Sequence, residues 1–237
     1  MPRRLYNRYA RFLCQNGFLV ITFDYRGMGE SQVERSSTST LRDWGEKDLA
    51  GIINYAGGKG AVSVVGHSLG GQLVGIAPNN EQVRALLLIA AGSGYWGWWP
   101  FPQKLVMASL WYIVMPALTS MLGYFPGKKL RLSEDLPAGP AKQWASWCRN
   151  RAYLLDESGK PDRQFFCRFD GPVLSYSFAG DPYAPEAAVD ELLSWFSSAR
   201  RDSRHIDAPL GHFGFFRNKN LQPLWRETVD WLKTVTV

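Results

Sequence analysis

The sequence predicts an α/β fold: a mostly parallel sheet with helices on both faces and a helical cap inserted into it. Three observations lead there. Short apolar runs alternate with amphipathic stretches over most of the chain, the pattern of parallel strands joined by helical crossovers. That alternation breaks over residues 94–169, which are rich in Trp, Pro and Gly. A G-x-S-x-G pattern, Gly66-His67-Ser68-Leu69-Gly70, falls between a predicted strand and a predicted helix. The expected organisation is a discontinuous core of residues 1–93 and 170–237, with a cap of residues 94–169.

Each element has a local reason. Residues 3–16 place Leu5, Tyr9, Phe12 and Leu13 on one helical face, and Gly17 follows as a stop. Residues 18–23, FLVITF, read as a buried parallel strand, with the loop DYRGMGES at 24–31 after it. Ser39 or Thr40 can cap a helix carrying Leu41, Trp44, Leu49, Ile52 and Ile53, which Gly57 and Gly58 end. Further strands are expected at 61–65, 83–90, 173–178 and 205–208. Helices are expected after Ser68, around Ala188, Leu192, Leu193 and Phe196, and around Leu224, Trp225, Val229 and Leu232.

Composition narrows the class. With 237 residues, 46% hydrophobic and 20% charged, the chain can bury a core without a disulfide or metal staple. The net charge of +6 is scattered. Its densest patches, Arg3-Arg4 and Arg200-Arg201 with Arg204, come with no nucleic-acid-binding pattern and read as solvated faces. The three cysteines, Cys14, Cys148 and Cys167, lack metal-ligand spacing, which points to reduced thiols and a cytoplasmic location. Residues 105–127 carry no charge, a stretch longer than the roughly 18 residues that raise the question of a membrane span. Pro116 and Gly123 interrupt it, so a buried or lid helix pair is expected rather than a span or a surface anchor. Gly27-Met28-Gly29 begins like a dinucleotide fingerprint, but Gln32 stands where the third glycine belongs, and Gly57-Gly58-Lys59-Gly60 lacks phosphate-loop spacing. No cofactor or metal is expected.

The chemistry centres on Ser68. A sharp strand-to-helix turn lifts a serine hydroxyl above the sheet edge, excludes bulk at the flanking glycines, and aims the Leu69 amide at a reacting oxygen. A serine needs a base, and the base an orienting acid, in the chain order Ser, Asp or Glu, His. His67 adjoins the serine and must point away from it. His205 lies inside a strand. His212 lies in the loop Leu210-Gly211-His212-Phe213-Gly214, where a base belongs. Asp181 closes the fourth strand in Phe178-Ala179-Gly180-Asp181-Pro182, with Asp207 as the fallback, while Asp170 and Glu186 are badly placed. Trp98, Trp99, Trp111 and Met115 are the expected substrate-binding residues, among cap aromatics and methionines that include Trp96, Phe101, Met107, Tyr112 and Met121.

Taken together, residues 17–31, Gly66 to Gly70, residues 179–185 and Gly211 to Gly214 resemble the α/β-hydrolases grouped with serine aminopeptidase-like and monoacylglycerol lipase-like enzymes. The resemblance implies hydrolysis of an ester, less often an amide, of a small molecule through an acyl-enzyme, without a cofactor. It also exposes a departure. That fold starts with three strands before the helix at 3–16, and they have no counterpart here. Residues 18–23 match its fourth strand, which would then lack both usual neighbours. The loop that supplies the second oxyanion donor would be missing too, a loss worth about 10²–10³ in kcat. The expectation is therefore an N-terminally shortened form of a longer protein. The alternative is a non-catalytic relative that binds an apolar ligand or a partner.

Overall fold

The computed structural model describes residues 1–31, 38–156, 158–218 and 220–236; Gln32 lies outside them. Its main sheet has four strands in the order β1 (Val62–His67), β2 (Val83–Ile89), β5 (Pro172–Phe178), β6 (Arg200–Ile206). All three pairings are parallel. A two-stranded antiparallel pair, β3 (Tyr124–Phe125) and β4 (Leu136–Pro137), stands apart.

Side chains alternate across the sheet with a period of two, and each face meets its own cluster. Leu86, Leu88 and Val173 turn to one face, where Leu41, Trp44, Ile53, Leu73 and Phe166 pack. Leu87, Ile89, Leu174, Tyr176 and Phe178 turn to the other, against Tyr9 and Leu13 of helix Asn7–Gln15 and Trp225, Val229 and Leu232 of helix Gln222–Thr236. Because β2 and β5 are covered on both sides, they are mostly apolar, broken only by Arg84 in β2 and by Ser175 and Ser177 in β5. Thr40 caps the helix spanning 41–57 through a reciprocal box with Asp43, which satisfies two otherwise orphaned amides.

Three expectations need correction. Residues 18–23 form no strand. Phe18 and Val20 lean toward one cluster and Phe23 toward the other, as a strand's would. But Leu19 to Phe23 make no backbone–backbone hydrogen bond among the described residues, because no strand runs beside them. Second, the last strand starts at Arg200, well before the predicted 205. It is an edge strand with every residue from Arg200 to His205 exposed, so it carries no apolar signal. Third, residues 105–127 do not split into a helix pair. One helix runs Gln103–Leu122, and only 17% of its most apolar window is buried. Pro116 does not interrupt it. The chain widens into a π turn at Leu110–Val114 just before the proline, which lacks an N–H to give. By length and composition this helix could cross a membrane.

The loop after residues 18–23 is held by carboxylates. Asp24 accepts from the amides of Arg3 and Glu30, and Asp48 takes the Arg26 guanidinium and amide. Gly27 and Gly29 sit in the left-handed region of this turn, not in a nucleotide-binding loop. The three cysteines are unpaired.

Candidate functional site

Ser68 stands at the tip of β1, with φ 53° and ψ −126°, between that strand and helix Leu69–Val74. Few non-glycine residues tolerate positive φ, and such a conformation costs roughly 1–3 kcal/mol unless its surroundings impose it. Here they do. The Ser68 amide donates to the Ile89 carbonyl at 3.0 Å, and the Gly71 amide donates back to the Ser68 carbonyl at 3.0 Å. Strand and helix approach so closely that a Cβ at Gly66 would lie 2.5 Å from Gly71 Cα, and one at Gly71 would lie 2.5 Å from Ala91 Cβ. Gly70 is different: a Cβ there would meet nothing within 4 Å. The steric demand expected at Gly70 falls on Gly71 instead. Leu69 is the first residue of the helix, so its amide has no intrahelical acceptor and lies at the positive end of the helix dipole.

His212 and Asp181 come together from two loops. Gly180 and Gly211, at φ 69° and 63°, turn the chain just before each. The His212 Nδ1 lies 2.9 Å from Asp181 Oδ2 and 3.1 Å from Oδ1. Both side chains are buried. Asp181 Oδ1 also accepts from the amides of Tyr183 and Ala184, at 2.8 and 3.1 Å. A carboxylate with those donors accepts only, so Nδ1 carries a proton, and the neutral ring is held in the tautomer whose Nε2 has the lone pair. Ser68 and His212 line the same cavity, of about 600 Å³. No hydrogen bond joins Ser68 Oγ to His212 in this structure; such contacts are often long before a substrate binds.

The other candidates for the acid and base are elsewhere. His205 bonds Ser177 Oγ at 2.9 Å on β6, and Asp207 is exposed. His67 does more than pack. Its Nε2 lies 2.9 Å from the carbonyl oxygen of His212, and its Nδ1 lies 3.1 Å from the Tyr6 hydroxyl. Nε2 therefore donates to that carbonyl while Nδ1 accepts from Tyr6, which fixes the backbone of the His212 loop. Burial, aided by the neighbouring His212, pushes the His67 pKa well below its usual value, so the ring is neutral.

That neutrality has a measurable cost. The unfolded chain takes up a proton at His67 below about pH 6.5, and the folded chain does not. Stability should then fall as the pH falls below that point, by up to about 1.4 kcal/mol per pH unit from this residue. Urea unfolding at a series of pH values should show the slope, and His67→Gln should remove it; an unchanged slope would mean that His67 is protonated in the fold.

The cavity wall corrects the list of substrate-binding residues. Trp99, Trp111 and Met115 line it, joined by Met107, Leu110 and Trp144. Trp98 does not. The short turn Trp96–Trp98 points its indole N–H at Ser93 Oγ, 3.3 Å away, and its ring toward Arg151. Trp96 is likewise off the wall, and Phe101, Tyr112 and Met121 face outward. Trp99 has a second task that its sequence position did not reveal. Its indole N–H donates to the Pro182 carbonyl at 2.8 Å, next to Asp181. On the same cavity, Gln72 of helix Leu69–Val74 donates to the Gly92 carbonyl and accepts from Tyr153, whose hydroxyl also takes the Trp144 indole N–H. Among the described residues no group of His, Cys, Asp and Glu is placed to hold a metal ion.

No curated protein sequence matches the chain. Solved structures share its fold at low identity. A soluble variant of the monoglyceride lipase from Saccharomyces cerevisiae aligns with a TM-score of 0.71 and 16% identity, covering 100% of this chain and 84% of that one. The monoacylglycerol lipase from Paleococcus ferrophilus gives 0.64 and 16%, covering 98% and 90%. A thermophilic esterase from Thermogutta terrifontis gives 0.61 and 19%, covering 100% and 87%. The sequence itself matches the alpha/beta hydrolase family over residues 2–232, nearly its whole length, and the chain belongs to that family.

Proposed function

We propose that the chain is a serine hydrolase that cleaves an ester of a hydrophobic small molecule through an acyl-enzyme on Ser68. The observation that carries this reading is the buried His212–Asp181 pair on the same cavity as a serine held at positive φ. Ser68 Oγ attacks the carbonyl carbon and His212 Nε2 takes its proton. The oxyanion that forms meets the Leu69 amide. Collapse breaks the ester bond, and His212 returns the proton to the departing alcohol. Water then attacks the acyl-enzyme by the same route, releasing the acid and restoring Ser68. Asp181 holds His212 in the tautomer that accepts at Nε2.

The preference for an ester draws on the solved relatives, two named as monoacylglycerol or monoglyceride lipases and one as an esterase. The apolar wall of Trp99, Met107, Trp111 and Met115 supports a hydrophobic acyl or alcohol group. A non-catalytic reading, in which the cavity only binds an apolar ligand, draws on the unmade Ser68–His212 bond.

A fluorophosphonate probe separates the two. Adduct mass located on the peptide containing Ser68 is expected; a folded chain that stays unlabelled, or is labelled on another serine, would overturn the catalytic reading. A series of p-nitrophenyl esters of rising chain length then tests the substrate class. Preference for charged or very short acyl groups would remove its hydrophobic part.

A further inference from the structure

Helix Gln103–Leu122 is apolar on both faces, which sets it apart from an ordinary surface helix. Its inner stripe, Met107, Trp111, Met115 and Thr119, recurs every four residues and is buried; the first three line the cavity. The opposite face should be polar. Instead it exposes Val106 at 67%, Ile113 at 64% and Met121 at 79%, with Phe101 at 73% just ahead of the helix. Every exposed residue from Leu105 to Leu122 is uncharged. A patch of this kind marks an interaction surface.

The charges around it say what it meets. From Gly92 to Ser133 the sequence holds Lys104, Lys128, Lys129 and Arg131 and no Asp or Glu. Lys104 lies at the start of the helix and the other three just past its end. Lys128 pairs with Glu134 at 2.9 Å, whereas Lys129 and Arg131 have no ion-pair partner among the described residues. An apolar face bracketed by cations suits an anionic lipid interface, with the face among the acyl chains and the cations at the headgroups. A second copy of this chain fits poorly, since a two-fold contact through this face would set like charges together. A spanning role fits poorly as well. The inner stripe packs into the fold, with Trp111 against Trp144 at 5.1 Å between ring centroids, and leaving would uncover it.

We infer that the outer face of helix Gln103–Leu122 docks the protein onto anionic phospholipid membranes, lying in the interface plane. The inference does not depend on the hydrolytic reading. If both hold, one helix faces lipid on its outside and the Ser68 cavity on its inside, so the substrate class becomes membrane-resident acyl esters.

Sedimentation with vesicles tests the docking without using activity. Binding to vesicles of phosphatidylcholine with phosphatidylserine is expected, and weaker binding to phosphatidylcholine alone. Ile113→Glu with Met121→Glu should lower binding to both by about tenfold or more. Lys129→Glu with Arg131→Glu should lower only the anionic component, by about tenfold or more. Circular dichroism checks that the variants are folded, and their altered residues are exposed. No sedimentation with either vesicle, or folded variants that bind like the parent, would overturn the inference. So would a lipid-free dimer that Ile113→Glu dissociates, which would assign the face to a second copy. Retention in vesicles through an alkaline wash would replace docking with insertion.

Discussion

Ser68→Ala should lower kcat for ester hydrolysis by about 10⁵–10⁶-fold, with KM little changed, because the hydroxyl makes and breaks the covalent bond while the cavity wall stays in place. The variant should fold. The Ser68 backbone bonds to Ile89 and Gly71 do not involve the side chain, and alanine can be forced into the same φ of 53° at similar cost. Ser68→Gly isolates that cost. Glycine reaches positive φ freely, so this variant should be equally inactive yet more stable than Ser68→Ala by about 1 kcal/mol. Steady-state kinetics paired with urea unfolding would read both quantities. Hydrolysis surviving in Ser68→Ala within a factor of about ten would place the chemistry on another group.

Asp181→Asn should cost about 10⁴-fold in kcat while sparing the loop. The oxygen of the substituted side-chain amide could still accept from the backbone amides of Tyr183 and Ala184, so the turn after β5 keeps its shape. What changes is the group facing His212 Nδ1. An amide N–H there turns Nδ1 into an acceptor and moves the ring proton to Nε2, where it blocks removal of the Ser68 proton. The fluorophosphonate labelling rate should fall with kcat, since both need a basic Nε2. An unimpaired labelling rate in Asp181→Asn would show that Asp181 does not set the tautomer of His212.

The parts of this site legible in the sequence were those tied to local rules. A serine between glycines at a strand-to-helix junction declares its turn, and the order Ser68, Asp181, His212 follows from where strands end. The buried strands β2 and β5 announce themselves through Ala85 to Ile89 and through Val173, Leu174, Tyr176 and Phe178. What escaped depends on neighbours far along the chain. Residues 18–23 have a strand's composition, but pairing needs a second chain segment alongside, and composition does not report one. Arg200 to Ile206 has the neighbour, β5, without the composition. The role of His67 rests on the carbonyl of His212, 145 residues away, and no periodicity encodes that contact. The motif names Gly70, and only the approach of Ala91 shows that the next glycine, Gly71, is the one that must lack a side chain. Along helix Gln103–Leu122 the i, i+4 spacing of Met107, Trp111 and Met115 does encode one face, and that spacing sets Tyr112 and Met121 off the wall.

The two margins of the main sheet carry unequal protection against self-association. On β6 the outermost strand is studded with Arg200, Arg201, Asp202 and Arg204, and a foreign strand that tried to extend the sheet there would meet exposed charge at almost every position. β1, by contrast, begins Val62-Ser63-Val64-Val65, without a single charge. What shelters it is the stretch of residues 18–23, which lines the same cavity and makes no ladder with it. Heating that loosens the shelter would bare an apolar, β-branched template on one side of the molecule only. Misassembly on warming would then be directional, growing from the β1 margin, and a lysine introduced into that margin would protect the protein more than any further charge on β6.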